Sequence, residues 1–251
     1  MTDLVLRDDR DGLCALTLNR PEKLNALNPE MFKELRAYVD ALAGQTDSIG
    51  CVVLKGAGRC FSAGNDLKDI AAGQKPPYPN FQSETIEGLA NLPQPVITAV
   101  HGHCYTGALE LALAGDLIIV SDSARIADTH GKWALTPMWG MSQRLPRRVG
   151  VAKAKEMMLT SKTITGKEAE TMGLANMCVP DDRFDQEVEA LARSILANSW
   201  HSNQANKFLV DSTDGMNLGE GLSFEVENTR GVGPDAEERI RAFTSKKQAH
   251  G

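Results

Sequence analysis

Apolar positions along the first half of the chain fall into two periods. The run LCALTLN, Leu13 to Asn19, alternates as a half-buried strand does. It stops at Arg20-Pro21, because proline restricts the residue before it. From Pro29 the spacing becomes helical, with Met31, Phe32, Leu35, Tyr38, Val39 and Leu42 on one face. Asn28 is a good N-cap, Pro29 suits the first helical position, and Gly44 lies past the end. The short runs CVVLKG (Cys51 to Gly56), PVITAVHG (Pro95 to Gly102) and DLIIVS (Asp116 to Ser121) read as buried strands. GQKPPYP, Gly73 to Pro79, is incompatible with regular structure and predicts a mobile surface loop. Strand, loop and helix alternate, which predicts an α/β fold with largely buried strands.

The character changes after about Val149. AKAKEMMLTS, GKEAETMG, DQEVEALARSILAN, NQANKFLVDS and PDAEERIRAFTSKK all carry helical amphipathicity, and only ANMCVP (Ala175 to Pro180) predicts a further strand. From Trp200 onward the pattern is helical alone. Two regions are therefore expected, a core over 1–199 and a helical region over 200–251. A helical tail with apolar faces and little core of its own packs on a core or on a partner subunit. No internal sequence repeat is present.

Composition narrows the class. Hydrophobic residues make up 42% of the 251 and charged residues 24%, as in ordinary globular proteins. The net charge is −6 with no dense Lys/Arg run, so a nucleic-acid surface is not expected. Cys14, Cys51, Cys60, Cys104 and Cys178 show no metal or disulfide spacing and fit reduced intracellular thiols. The N-terminus lacks a secretory h-region and no apolar run is long enough for a membrane span, so a cytoplasmic protein without membrane association is expected.

Three segments carry candidate chemistry. GRCFSAGND, Gly58 to Asp66, crowds small residues into a turn after a strand. Alone it reads best as a tight loop. It lacks the GK[ST] of a phosphate loop, but its small side chains would let backbone N–H groups approach a ligand oxygen. YTGALEL, Tyr105 to Leu111, opens a helix straight after a buried strand. A helix N-terminus offers free N–H groups to a developing oxyanion. Glu110 follows one turn later in an otherwise apolar run, where an ionised carboxylate is costly to bury unless it is paired or used. By itself the segment favours a glutamate turned to solvent or paired with a lysine. Finally, Asp128, Thr129 and His130 precede Trp133, Met138, Trp139 and Met141. That aromatic density is compatible with core or subunit interface and also with a substrate pocket.

Together these segments resemble the crotonase superfamily of enoyl-CoA hydratases and isomerases. The resemblance rests on LNRPEKLNALN, VVLKGAGRCFSAGNDL, VITAVHGHCYTGALELALAGDLIIVSDSARIA, SQRLPRRVG, ITGKEAETMGLANMCVP and the terminal AFTSKK, and it spans nearly the whole chain. It implies a spiral of ββα units with an acyl-CoA site, followed by a C-terminal helical trimerisation region. A homotrimer or dimer of trimers follows from it. No cofactor or metal is implied, because coenzyme A is part of the substrate. Two backbone N–H groups would hold the thioester oxygen, at the positions matching Ser62 and Gly107. Lys23, Asn25, Ala26 and Leu27 would lie along the CoA arm, and Cys60, Ala63, Asp66 and Leu67 near the adenine end. Trp133, Met138 and Trp139 would shape the acyl pocket. Glu110 matches the first of the two glutamates that the family's hydratases use.

The position of the second glutamate is His130, and Asp128 beside it is a neighbouring carboxylate off the matching position. The GGG run before the first glutamate is Thr106-Gly107-Ala108 here. The resemblance thus implies a hydratase-like lyase with Glu110 and His130 as its acid–base groups. Double-bond isomerisation or decarboxylation with one base, and an acyl-CoA binding protein with weak catalysis, remain open beside it.

Overall fold

The computed structural model describes residues 3–248; residues 1–2 and 249–251, which the two expected regions include, lie outside that description. The alternating run is strand β2 (Leu13–Leu18), preceded by a strand not expected from the pattern, β1 (Val5–Arg10). The two pair antiparallel from Val5↔Leu18 to Arg10↔Leu13. Asp11 and Gly12 turn between them with φ of 49° and 81°, the conformation a two-residue hairpin needs. Only Val5 of β1 is buried, so an edge strand of this kind leaves no apolar alternation to read.

Helix α1 (Pro29–Ala43) starts where expected, with the Met31 amide donating to the Asn28 side chain at 2.9 Å. Strand β3 (Cys51–Gly56) leads through α2 (Leu67–Ala71) and α3 (Phe81–Ala90) to β4 (Val96–Val100). Next come β5 (His103–Tyr105), α4 (Gly107–Ala112), β6 (Leu117–Ser121), β7 (Arg125–Ala127) and α5 (Met141–Thr160). Gly150, with φ 77° and ψ 156°, breaks α5 into two helical stretches, the first of which takes in SQRLPRRV. Strand β8 (Ile164–Thr165), α6 (Gly166–Thr171), β9 (Met177–Val179) and α7 (Phe184–Leu196) complete the core. Helices α8 (Trp200–Ser212), α9 (Leu218–Asn228) and α10 (Ala236–Gln248) form the tail.

Six strands make one sheet in the order β1-β2-β3-β4-β6-β9, parallel except for the β1–β2 pair. β5, β7 and β8 make a second sheet. β4 then β5 precede α4, and β6 then β7 precede α5. Each unit thus contributes one strand to each sheet and one helix, which is the expected ββα spiral. Both faces of the large sheet are covered. Leu16, Val52, Leu54 and Val100 pack in the cluster that includes the apolar face of α1, while Leu13, Val53, Ile97 and Ile119 pack with Phe184, Val188 and Ala192 of α7. Burial on both faces is why these strands read as unbroken apolar runs.

Trp200 ties the tail to this core. A Cβ on Gly50 would stand 2.3 Å from its indole, so only glycine admits the contact. Farther along, Leu218, Leu222 and Val226 recur one per turn on α9, and all three are exposed. Among the described residues no helix is long and apolar enough to cross a membrane.

Candidate active site

The site is built where β5 runs into α4. Thr106 lies between them with φ 53° and ψ −109°, a left-handed backbone that a β-branched residue rarely adopts. It is held there from three sides. Its amide donates to the Ala127 carbonyl at 2.9 Å, its hydroxyl accepts the Thr129 amide at 3.1 Å, and the Thr106 and Thr129 hydroxyls are hydrogen-bonded to each other. These bonds zip the end of β7 to the start of α4. They bring His130 against Glu110, twenty residues apart in sequence. Gly107 is the first helical residue, so its N–H has no intrahelical acceptor.

Glu110 is 1% exposed. One of its oxygens, Oε1, accepts the backbone amides of Trp139 at 2.9 Å and Met141 at 3.2 Å. The other, Oε2, stands 3.8 Å from His130 Nε2, beyond a direct hydrogen bond. His130 Nδ1 donates to Asp128 Oδ1 at 2.6 Å, and the His130 backbone amide donates to the same oxygen at 3.1 Å. Since a carboxylate only accepts, this contact fixes the imidazole proton on Nδ1. Burial raises the Glu110 carboxyl above its ordinary value, and the two amides and His130 pull against that rise. Burial opposes charge on His130, yet Asp128 and Glu110 outweigh it and hold the imidazole above its ordinary value. Asp128 is therefore turned to the histidine rather than standing in as a second open carboxylate.

One expected donor is corrected. The Ser62 amide donates to the His103 carbonyl at 3.0 Å, so it is spent on the bridge between this turn and β5. The Ala63 amide is likewise spent on Leu24, and the Gly64 amide on the Ser62 hydroxyl. Asn65 differs. The Leu27 amide binds the carbonyl before it and the Leu27 carbonyl binds the amide after it, so Asn65's own N–H faces away from that segment and has no acceptor among the described residues. Its side chain lies against Gly107, where a Cβ would come within 2.7 Å of Asn65 Oδ1. The amide left free in this turn is thus Asn65's, three residues beyond the expected one. Backbone direction in an irregular turn leaves no trace in residue type.

The two segments expected along CoA do run side by side, joined by the Leu27↔Asn65 bridge. Several of their side chains are occupied by the fold itself. Asn25 is fully buried; its side chain accepts the Arg20 amide and donates to the Ala57 and Cys60 carbonyls, all at 2.8 Å. Leu27 is core, and Cys60 is buried with its thiol pushed up by that burial. Asp66 accepts the Lys68 and Asp69 amides and pairs with Arg20 at 3.2 Å; those bonds outweigh its burial and hold it below the usual carboxylate range. Lys23 and Leu67 are exposed, and Ala26 and Ala63 half-buried. Of the aromatic and Met positions, Trp139 reaches the site. Its ring packs on Gly107 and stands edge-on to Phe32 at 5.0 Å. Trp133 and Met138 are 57% and 67% exposed within one chain. Trp133 ends a short 3-10 turn, His130–Trp133, and Met138 lies in the loop between left-handed Ala134 and Gly140.

A buried carboxylate facing a carboxylate-held imidazole, beside two free amides, is an arrangement with the chemistry for proton transfer and for holding a developing oxyanion. Known proteins agree with that class. The enoyl-CoA hydratase/isomerase profile matches residues 8–250. A probable enoyl-CoA hydratase of Mycobacterium bovis is 34% identical over 249 residues, covering 98% of this chain and 96% of the relative. The 1,2-epoxyphenylacetyl-CoA isomerase of Escherichia coli is 32% identical over 256 residues, covering 98% and 97%. The crystal structure of an enoyl-CoA hydratase from Bacillus anthracis superposes with a TM-score of 0.90 at 31% identity, covering 97% and 96%. That of a putative enoyl-CoA hydratase from Thermobifida fusca in complex with acetoacetyl-CoA gives 0.84 at 29% identity, covering 90% and 93%. The chain belongs to the enoyl-CoA hydratase/isomerase family of the crotonase superfamily.

Proposed function

We propose that the chain is an enoyl-CoA hydratase-like lyase acting on an acyl-CoA thioester. The observation that carries this reading is the 3.8 Å gap between Glu110 Oε2 and His130 Nε2, beside the free amides of Gly107 and Asn65. The thioester oxygen sits on those two amides. Each such donor is worth roughly 10²–10³ in rate once charge develops on the oxygen. Polarisation makes the β-carbon electrophilic. Glu110 Oε2 takes a proton from water as the water oxygen bonds to that carbon, and His130 Nε2 gives a proton to the α-carbon. Anchoring Oε1 on two amides leaves Oε2 as the working oxygen. The CoA arm follows the paired segments, with Lys23, Ala26, Ala63 and Leu67 as their accessible members. The exposed apolar row of α9 supports assembly into a homotrimer or dimer of trimers, which light scattering of the purified protein tests.

The direct test is incubation with crotonyl-CoA and longer 2-enoyl-CoAs. Loss of the conjugated enoyl absorbance is expected for at least one chain length, and no loss across the panel refutes hydration. Isomerisation of a double bond is the second reading, favoured by the single open carboxylate. A 3-enoyl-CoA that gains conjugated absorbance without hydration supports it.

A further inference from the structure

Asp128 is 1% exposed, and the same oxygen, Oδ1, takes both the ring and the backbone N–H of His130. We propose that Asp128 is a positioning residue that makes His130 the obligatory proton donor of the site, so that Glu110 and His130 have fixed and unequal roles. The inference rests on the acyl-CoA reading above and goes beyond it by giving Asp128 the task of holding His130 in its donating form.

The geometry leaves little freedom. Nδ1 is committed to Asp128, so a second ring proton sits on Nε2, the nitrogen facing Glu110 Oε2 and the gap between them. A protonated Nε2 donates and cannot accept. The titratable groups acting on His130 are Asp128 on its own segment and Glu110 on α4; α5, packed beside the turn, brings none that shifts it. Both neighbours are carboxylates, and both favour the cation.

The proton balance then closes within the site. Water adds its oxygen to the β-carbon and one of its protons passes to Glu110 Oε2. The enolate takes the Nε2 proton at the α-carbon, leaving His130 neutral. After product leaves, Glu110 returns its proton across the gap to Nε2. The proton released in one half of the reaction thus replaces the one spent in the other. Solvent need not supply either.

The test uses the full-length protein and two independent readouts. Histidine-labelled protein is titrated by NMR without substrate, with His130 assigned by its loss in His130→Gln. The imidazole is expected to titrate above the ordinary 6.5 in the wild type. Titration at or below that value overturns the proposal, whether or not any variant folds. In parallel, kcat and KM for the best enoyl-CoA are followed against pH in wild type, Asp128→Asn and Asp128→Glu. Asp128→Asn is expected to lower kcat at neutral pH by about tenfold to a hundredfold, leave KM within about twofold, and move the alkaline limb of kcat to lower pH. Asp128→Glu restores part of the loss. An Asp128→Asn profile that superimposes on wild type after scaling shows a merely structural Asp128 and overturns the proposal. Absence of turnover in the wild type would refute the hydratase reading, and the NMR titration, repeated in Asp128→Asn, would still decide the role of Asp128: an imidazole that titrates no lower in the variant overturns it.

Discussion

Glu110→Gln separates catalysis from folding more sharply than any other change. Glu110 Oε1 accepts amides at 2.9 and 3.2 Å, and a glutamine carbonyl oxygen takes up both. Charge-assisted bonds become neutral ones, a loss of about 1 kcal/mol each. Against that, the variant no longer buries an ionisable carboxyl, whose desolvation costs several kcal/mol. Stability is therefore expected to stay within about 2 kcal/mol of wild type or to rise. Turnover is expected to fall by about 10²–10⁴, or roughly 3–5 kcal/mol of barrier, because an amide cannot take the proton. Glu110→Ala is the contrast. It strands two buried amides at about 1–3 kcal/mol each and opens a void, so it unfolds earlier as well as losing activity. The assays are the enoyl absorbance at saturating substrate, and thermal melting with and without acyl-CoA, whose binding raises the midpoint. Turnover within about twofold of wild type in Glu110→Gln refutes the assignment. Loss of the acyl-CoA-induced shift together with turnover places Glu110 in binding rather than chemistry.

Four further outcomes follow from the structure. The folded-state values of Glu110 and His130 are both raised, so the folded state binds more protons and stability falls as pH rises. The Glu110 contribution is full below about its ordinary 4.5 and the His130 contribution below about 6.5, each lost as pH climbs through the raised folded value, so melting in buffers upward of pH 5 should fall, and less steeply in Glu110→Gln. Gly107→Ala puts a methyl 2.7 Å from both Asn65 Oδ1 and the Trp139 ring; kcat should fall at least about tenfold by the enoyl assay as the amide pair is displaced. Asn25→Ala removes three hydrogen bonds at 2.8 Å and strands buried backbone groups, so denaturant titration should show a loss of about 2–4 kcal/mol, whereas Lys23→Ala should raise KM for the CoA ester and leave stability unchanged.

The long elements were legible because their burial is one-sided or complete. Helix α1 shows its stripe, and β3, β4 and β6 show the continuous runs of strands covered on both faces. The second sheet was not, since strands of two or three residues are too short to carry a period. A helix start and a motif offset single out Glu110 and His130 in the sequence, and the fold brings their side chains to 3.8 Å. What lies between them is not marked in this way. Asp128 was visible as a residue, but its commitment to His130 depends on a turn that folds its carboxylate back onto the ring two residues later. Asn65 was hidden for a related reason. The group the proposed function uses is its backbone, and whether an amide in that turn is free depends on which neighbouring segment it faces. Asn25 shows the opposite failure: a polar residue in a ligand-binding motif whose side chain holds the loop rather than the ligand.

The substitution at His130 bears on the reaction as well as on the residue. Two carboxylates in one buried gap would compete for protons, and one of them would have to be neutral to donate. In the proposed hydration the donor is instead an imidazole between two carboxylates, and its cation would lie next to the enolate formed on the Gly107 and Asn65 amides. A charged donor facing the α-carbon captures that enolate at the α-position. Hydration needs this capture. Migration of a double bond toward the thioester needs the reverse, with a proton removed at the α-carbon by Glu110 and redeposited at the γ-carbon, and His130 would quench that intermediate before it moved on. Removing the donor should therefore shift the balance between the two reactions. His130→Gln is expected to lose hydration of a 2-enoyl-CoA while keeping more of any conversion of a 3-enoyl-CoA. Equal losses on both substrates would mean that His130 does not face the α-carbon.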